Sequence, residues 1–540
     1  MKIIYKKPNC LHSLLILLLA CWSCSEKKTD LKSPNILFVI SDDQSFAHTS
    51  FAGSNFANTP AFDRVAREGV YFSNCIAGSP GCAPSRSSIV TGRYPWQNEQ
   101  SGQHASAWLK KYVPFIDVLD NNGYVTGRTG KGVAPFQYAR SPEDSLWRTT
   151  DAGGVDHSGI RYKDDKEGIE GYAKGVSGLD YYENFKYFIE HVKKDQPFFF
   201  WFGASEPHRA YEKGSWKRMG KKLEDVEVPA FLPDNDEIRG DLLDYAVEIE
   251  WFDQHLGKIL KYLEDIGELE NTIVIVTSDN GKPFPRAKAN AYEYGIHVPM
   301  AVRYPTAFPG GRIIDAPLSF VDIAPTILEI AGASPEGMMP IAGQSFLNIL
   351  TSEDNKIKGR VMDYALSGRE RHSSSRYQNW GYPQRAIRSK DYLYIWNMKP
   401  ERWPAGAPQK YDPKDESKLL PMHGIGSDGN YIPQSAYTDI DDCPTKTYLL
   451  EHHEDRDIKP YFDLAVAKRP EFELYDIQND PACLENLVGK AEYIDVEKRL
   501  NEALVLELKK TQDPRVVGPD QDVFDTYRRY SHNRNFPSPK

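Results

Sequence analysis

A cysteine at the start of a predicted helix is the first candidate for chemistry. It lies in the segment GCAPSR at 81–86, and Thr-Gly-Arg follows at 91–93. Pro84 is tolerated in a first helical turn because its missing N–H has no partner there. Cys82 would therefore lie at the helix N-terminus, where backbone N–H groups and the dipole favour negative charge, with Arg86 one turn later. An inert cysteine on a capped helix is the default interpretation of a lone Cys, but this combination is hard to obtain by chance.

Polar residues follow three apolar runs of the chain. Asp42 and Asp43 follow NILFVI, residues 206–209 (EPHR) follow PFFFWFG, and Asp279 and Asn280 follow TIVIV. Runs without alternation predict strands that are buried on both faces, as in a sheet covered by helices. Open α/β sheets bind ligands at the carboxyl ends of such strands, so these three segments are candidates for one site.

Helical patterns separate the predicted strands. Apolar positions in 241–266 recur close to the 3.6-residue period, and shorter helices are predicted at 181–192 and 320–331. After about residue 375 the chain reads as a hairpin strand, a segment rich in Pro, Gly and charge, another strand and a final helix. We predict a catalytic domain over 34–375 and a C-terminal subdomain over 376–540.

The overall composition excludes several classes of protein. The 540 residues include 66 Lys plus Arg and 76 Asp plus Glu, a formal net charge of −10. A hydrophobic share of 40% and a mean hydropathy of −0.56 exclude a polytopic membrane protein. The sequence pI near 5.8 argues against nucleic acid as a partner. An anionic substrate stays open, because a local cluster of cations can outweigh the global charge.

The N-terminal residues are typical of an export signal. Three lysines precede an apolar run at 14–20 that is too short to span a bilayer. Leu-Leu-Ala-Cys, ending at Cys21, resembles a bacterial lipobox, with Cys24 as a weaker second choice and plain signal cleavage as the alternative. We predict a leader over 1–24, a polar tether over 25–33, and an exported protein that is lipid-anchored at the periplasmic face or the cell surface.

The Cys82 segment resembles the signature of type I sulfatases, in which the cysteine of Cys-x-Pro-Ser-Arg is oxidised by a maturase to Cα-formylglycine. The similarity extends from PNI at 34–36 to ELYDIQNDP at 473–481. It implies an α/β, alkaline-phosphatase-like fold: a large mixed sheet flanked by helices, and a smaller C-terminal α+β domain with an antiparallel sheet plus a helix. In that family the aldehyde hydrates, one hydroxyl attacks sulfur, and the other then eliminates sulfate.

The resemblance also implies a metal site. Asp42, Asp43, Asp279 and Asn280 match the family's ligands, and matured Cys82 would complete the shell. Hard oxygen ligands suit one Ca²⁺ better than zinc, since no set of His or thiolate ligands is offered. An isolated Asp pair is more often a turn or a helix cap, but two pairs beside the Cys82 signature favour the metal.

Four cationic or titratable residues match further family positions. Arg86 would hold the hydrate, Lys131 and Lys288 would bind sulfate, and His208 would protonate the leaving oxygen as a general acid. Many sulfatases read Gly-Lys-Trp-His where this chain reads Gly-Lys-Gly-Val, so that histidine is absent here. His104, close in sequence to the catalytic helix, is the candidate to supply an imidazole from another loop and to contact substrate.

Within the family, several stretches of the chain resemble heparan N-sulfatase (sulfamidase) and its bacterial relatives. The similar stretches include VPAFLPD at 228–234, TSDNGKPFP at 277–285 and YPQRAIR at 382–388. That branch implies a sulfated glycan as substrate, with O- or N-sulfate, and both glycosaminoglycans and carboxylated algal polysaccharides such as ulvan fit. Arg371 and His372 are candidates to bind a uronate or a second sulfate, with a solvated basic loop as the competing interpretation.

Two other functions stay open. One is a formylglycine-dependent hydrolase of phosphonate or phosphate esters on the same fold, and the other is a non-catalytic glycan-binding lipoprotein. The filled catalytic positions disfavour the second. The expected partners are thus a sulfated oligo- or polysaccharide and a formylglycine-generating maturase, with no nucleic acid and with membrane contact only through the N-terminal lipid.

Overall fold

The computed structural model describes Met1 and residues 33–139, 145–162, 171–353, 363–409, 411–412, 414–420 and 424–530. The predicted leader over 1–24 and tether over 25–33, and with them Cys21, lie outside the described residues apart from Met1 and Ser33. Pro34–Lys540 forms one compact unit. Among the described residues, no helix combines the length and the apolar character that crossing a bilayer requires.

The strands of the described residues fall into four sheets. In chain order they are β1 (Asn35–Ser41), β2 (Val70–Phe72), β3 (Cys75–Ile76), β4 (Val125–Gly130), β5 (Phe198–Gly203), β6 (Thr272–Ser278), β7 (His297–Val298), β8 (Met300–Arg303), β9 (Arg312–Ile314), β10 (Leu318–Ser319), β11 (Tyr364–Arg369), β12 (Gln384–Ser389), β13 (Tyr392–Asn397), β14 (Tyr411–Asp412), β15 (Asp415–Leu419) and β16 (Phe472–Asp476). The order of the seven-stranded sheet is β4-β5-β1-β6-β8-β2-β9, and β10-β3-β7 and β14-β15 form small sheets.

Fourteen α-helices lie within the described residues. They are α1 (Pro60–Glu68), α2 (Cys82–Thr91), α3 (Phe115–Asn121), α4 (Tyr181–His191), α5 (Ser215–Arg218), α6 (Asp236–Asp265), α7 (Glu293–Ile296), α8 (Ile323–Ala331), α9 (Leu347–Leu350), α10 (Pro444–Glu451), α11 (Lys459–Val466), α12 (Ile494–Lys510), α13 (Pro514–Val517) and α14 (Val523–Thr526). The three helices predicted from periodicity are all present. The longest, α6, begins five residues before the predicted start, because the side chain of Asn235 caps it by accepting from the N–H of Ile238.

Strand β1 lies at the centre of the large sheet. It pairs in parallel with both β5 and β6, so that Leu37 lies between Phe200 and Val274, and all seven of its residues are buried. Successive side chains point to opposite faces of a strand. Ile36, Phe38 and Ile40 therefore pack under α2, α3 and α8, whereas Leu37 and Val39 pack under α1, α4 and α6. The prediction of strands buried on both faces is confirmed.

The C-terminal part contains a four-stranded antiparallel sheet of order β11-β12-β13-β16. Helix α12 covers one face of it, with Leu500, Leu504 and Leu508 buried against Leu366 and Ile387. The predicted fold class, a large mixed sheet between helices plus an antiparallel sheet with a helix, is confirmed. Strand β11 starts before the boundary predicted at 375/376, and the division into 34–375 and 376–540 stays a prediction.

Candidate active site

The candidate residues follow four adjacent parallel strands. In the sheet, β4, β5, β1 and β6 are neighbours and run in the same direction. Their carboxyl ends therefore meet at one edge, which is where open α/β sheets bind ligands. Lys131 follows β4, His208 follows β5, and the two acidic pairs follow β1 and β6.

Gly130 shows why the chain needs a glycine before Lys131. Its φ is +74°, a region that favours glycine, and a Cβ here would lie 2.1 Å from the carbonyl oxygen of Gly203. The N–H of Lys131 donates to the same carbonyl at 2.7 Å. The side chain of Lys131 is thereby directed from the end of β4 towards the end of β1.

The two pairs after β1 and β6 interlock. The N–H of Asp43 donates to Asp279 Oδ1 at 3.0 Å, and Asn280 Nδ2 donates to Asp43 Oδ1 at 2.8 Å. Asp42, like the other three residues, is almost completely buried. The structure thus brings together all four ligands that the resemblance implied.

Cys82 is the first residue of α2, and every residue of this helix is buried. Its Sγ and one carboxylate oxygen each of Asp42 and Asp279 lie within 4.8 Å of one another. The helix ends at Thr91, and the next residue, Gly92, adopts the left-handed conformation and donates its N–H to the carbonyl of Ser88. The predicted cysteine-first helix is therefore present, and its N-terminus faces the acidic cluster.

Three cations, of which Arg86 and Lys288 are buried and Lys131 is partly exposed, face the three buried carboxylates. Arg86 Nε lies 2.6 Å from Asp279, Lys131 Nζ lies 2.5 Å from Asp42, and Lys288 Nζ lies 2.5 Å from Asp43. Arg86 also donates from Nη1 to the carbonyl of Lys131 at 2.9 Å. These contacts balance charge locally, which a buried cluster requires.

The pKa values of the cluster follow from burial and pairing. Burial alone would lower the pKa of Lys131 and Lys288, but Asp42 and Asp43 outweigh it and raise both values, so both ammonium groups stay charged. Burial raises the pKa of the Cys82 thiol. Unmodified Cys82 is therefore a neutral thiol at neutral pH and a weak nucleophile.

The acidic cluster fits a divalent cation. Asp42 Oδ1 and Asn280 Oδ1 are buried and have no hydrogen-bond partner among the described residues. A buried polar atom without a partner is costly, whereas a metal ion would satisfy both oxygens. Carboxylate and amide oxygens are the ligands that Ca²⁺ prefers. Asp42, Asp43, Asp279 and Asn280 could hold such an ion.

A cavity of about 500 Å³ opens over Cys82. Lys131, Lys288 and His208 line it. His208 Nδ1 contacts the carbonyl of Arg209 at 2.6 Å, and because a carbonyl only accepts, Nδ1 carries the proton. Its Nε2 is thus the nitrogen left for the cavity, 3.8 Å from Asp43.

The predicted substrate-binding residues divide into two groups. His104 and His372 line the cavity, and their ring centroids lie 4.9 Å apart. Burial, with His372 and Arg529 as further causes, lowers the pKa of His104 well below its usual range, so its imidazole is neutral. Arg371 is not among the residues that line the cavity; it is buried and donates to the carbonyl of Tyr527 at 2.6 Å.

Among the described residues, four with polar side chains line the cavity but were missed by the sequence analysis: Ser205, Ser373, Asp441 and Arg529. Asp441 is buried and lies 3.1 Å from Lys288, so this lysine bridges two carboxylates. Ser205 follows β5, so its position after the carboxyl end of a predicted strand could have marked it as a candidate site residue. Asp441 and Arg529 come from irregular segments far along the chain, where no motif marks them.

The chain has the alkaline-phosphatase-like α/β fold that the resemblance implied. The sulfatase family model matches residues 34–333, more than half of the chain, and the model called N-sulphoglucosamine sulphohydrolase, C-terminal, matches residues 287–415. The chain belongs to the sulfatase family. The family is enzymatic and hydrolyses sulfate esters or N-sulfates, and this protein is an enzyme of that class.

Several proteins resemble the chain over most of its length. An ulvan-active sulfatase of Formosa agariphila is 27% identical, over 88% of this chain and 76% of the relative. Human N-sulphoglucosamine sulphohydrolase is 25% identical, over 90% and 92%. A solved structure described as a complex with its substrate D-glucosamine-2-N,6-O-disulfate aligns with a TM-score of 0.59 at 20% identity, over 91% of this chain and 99% of that one.

Proposed function

We propose that this sulfatase removes O- or N-sulfate groups from a sulfated oligo- or polysaccharide. The observation that carries the proposal is the convergence of Cys82 with Asp42 and Asp279, within 4.8 Å, under a cavity lined by Lys131 and Lys288. A volume of about 500 Å³ is in the range of small-molecule sites and has room for a sugar ring. The relatives named for ulvan and for N-sulphoglucosamine support a carbohydrate.

Two groups complete the proposed site. We propose that a maturase converts Cys82 to Cα-formylglycine and that the four residues after β1 and β6 hold one Ca²⁺. When present, the hydrated aldehyde supplies the nucleophile that the buried thiol does not, and the ion supplies positive charge next to the sulfate oxygens. The unpartnered oxygens of Asp42 and Asn280 support the ion.

The protein's own side chains then bind and orient the sulfate. Lys131 and Lys288 remain charged and are positioned to neutralise its oxygens as negative charge develops on the leaving group. Arg86 donates hydrogen bonds to Asp279 and to the carbonyl of Lys131, and these bonds hold the segments after β6 and β4 in place. His208 faces the cavity through Nε2, from which a protonated ring can donate to the leaving oxygen or nitrogen.

We also propose that the chain is exported and anchored by a lipid on Cys21. The support is the charged-then-apolar leader and the lipobox-like sequence before Cys21. Incorporation of a radiolabelled fatty acid in a bacterial host tests this proposal. Cys21→Ala is expected to abolish labelling and to release the protein in soluble form, and labelling that persists would contradict the lipid site.

The experiment for the proposed function compares ester classes. Wild type and Cys82→Ala are assayed on matched sulfate, phosphate and phosphonate monoesters and on sulfated mono- and disaccharides. We expect preferential sulfate release by wild type and a loss on the order of 10⁴-fold or more in kcat for the variant. Faster cleavage of phosphonate or phosphate would favour the ester-hydrolase alternative. Saccharide binding without turnover in either protein would favour the binding protein.

A further inference from the structure

The last described segment of the chain, residues 524–530, lies against the loop at 103–106. The side chains of Gln103 and Ser106 donate to two carbonyl groups of this segment, each at 2.7 Å. The N–H of Tyr530 donates back to a carbonyl of the loop at 2.8 Å. Because both donating side chains belong to buried residues, these bonds are shielded from water and hold the segment in place.

Arg371 adds a fourth hydrogen bond. Its Nη1 donates to the carbonyl of Tyr527 at 2.6 Å. The four bonds fall on both sides of Arg529, at 524, 527 and 528 before it and at 530 after it. The backbone at Arg529 is therefore fixed, and its side chain lines the same cavity as Cys82.

Among the described residues, Arg529 is the third Lys or Arg that lines the cavity, and its contacts differ from those of the other two. Lys131 and Lys288 are drawn to the carboxylates beside Cys82. Arg529 instead comes from the C-terminal segment, with Nη1 at 3.4 Å from Ser374 Oγ, and shares the cavity with His372. A guanidinium presents its N–H groups in one plane, which matches two oxygens of a carboxylate or a sulfate.

We infer that Arg529 and His372 bind a second anionic group of the substrate, a carboxylate or a further sulfate, on or next to the sugar that loses its sulfate. This inference rests on the proposed function and names its substrate class: saccharides with at least two anionic groups. A substrate with a neutral group at that position displaces water from the guanidinium without replacing its hydrogen bonds, so it binds more weakly. Arg529 is thus a specificity-determining residue.

Arg528 offers a matched control for the test. It directly precedes Arg529, is exposed, and places its guanidinium carbon 5.0 Å from the ring centroid of Tyr530. It is not among the residues that line the cavity. R528Q therefore removes the same charge from the same segment without changing the cavity.

The experiment measures kcat/KM for wild type, R529Q and R528Q on two substrate pairs. One pair is D-glucosamine N-sulfate with and without a 6-O-sulfate, and the other is a sulfated disaccharide with a uronate or with its methyl ester. R529Q should lower kcat/KM about 10- to 100-fold on the doubly anionic member, mainly through KM, and less than about threefold on the other. The pair that responds identifies the second group as sulfate or carboxylate.

The outcomes separate this inference from the proposed function. Equal losses on both members of each pair, or R529Q behaving like R528Q, would overturn the inference while the sulfatase function stands. If wild type releases sulfate from none of the saccharides, the proposed function fails and the inference fails with it. If R529Q is unstable in thermal unfolding, R529K decides: it keeps the charge but loses the planar pair of donors, and an intermediate loss on the doubly anionic substrate alone is expected.

Discussion

Glu293 connects the small sheet β10-β3-β7 to the C-terminal sheet through charged hydrogen bonds, and its pKa makes the stability of the enzyme depend on pH. It lies on α7 and accepts from Arg388 Nη2 on β12 at 2.7 Å, with His297 Nδ1 also at 2.7 Å. Burial alone would raise the pKa of Glu293, but Arg388 and His297 outweigh burial and lower it from 4.5 to about 2.

Since the folded pKa is lower than the unfolded one, the ionised carboxylate stabilises the fold above about pH 4.5, and this stabilisation is lost as the pH falls towards 2. The shift of about 2.5 pKa units corresponds to about 3 kcal/mol, of which roughly 2 kcal/mol is lost by pH 3. E293Q removes the titrating group. We therefore expect the free energy of unfolding of the wild type to fall by roughly 2 kcal/mol more than that of E293Q between pH 6 and pH 3.

Urea unfolding, followed by tryptophan fluorescence at several pH values, measures this difference. E492Q is the matched control, because Glu492 is exposed and its replacement changes the same charge at the surface. A plot of the free energy of unfolding against pH for E492Q should run parallel to that of wild type. If the curve of E293Q also runs parallel to wild type, the assigned ion pair does not contribute to the pH dependence, and the reasoning is refuted.

The remaining predictions concern the active site. K131A and K288A should each lower kcat about 10²- to 10³-fold, and a loss confined to KM would show that these lysines bind substrate without stabilising the transition state. Chelation should abolish activity, and Ca²⁺ should restore activity and raise the Tm of wild type; at a concentration 100 times Kd the stabilisation is about 2.7 kcal/mol. In D42N, Ca²⁺ should no longer raise the Tm, and an unchanged calcium response would contradict the metal assignment.

Much of the site could be predicted because strand ends are local signals. Asp42 and Asp279 follow apolar runs without alternation, which predict strands buried on both faces, and parallel neighbours bring such ends to one edge. The helix that begins at Cys82 carries its own signals in Pro84 and the closing Gly92. These features depend on neighbouring residues alone, and the fold then places them.

The rest of the cavity depends on tertiary structure. Asp441 reaches Lys288 from a segment without regular secondary structure, and Arg529 reaches the cavity only because the C-terminal segment docks on the loop at 103–106. Arg371 and His372 are adjacent in sequence, yet His372 lines the cavity and Arg371 is buried against the segment that carries Arg529. Neither composition nor spacing specifies which of two neighbours faces a cavity.

The state of residue 82 tests the account most directly. Peptide mass spectrometry of active enzyme, produced in a host that has the maturase, should show the aldehyde in place of the Cys82 thiol, in proportion to specific activity across preparations. Fully active enzyme that carries an unmodified thiol at this position would contradict the account.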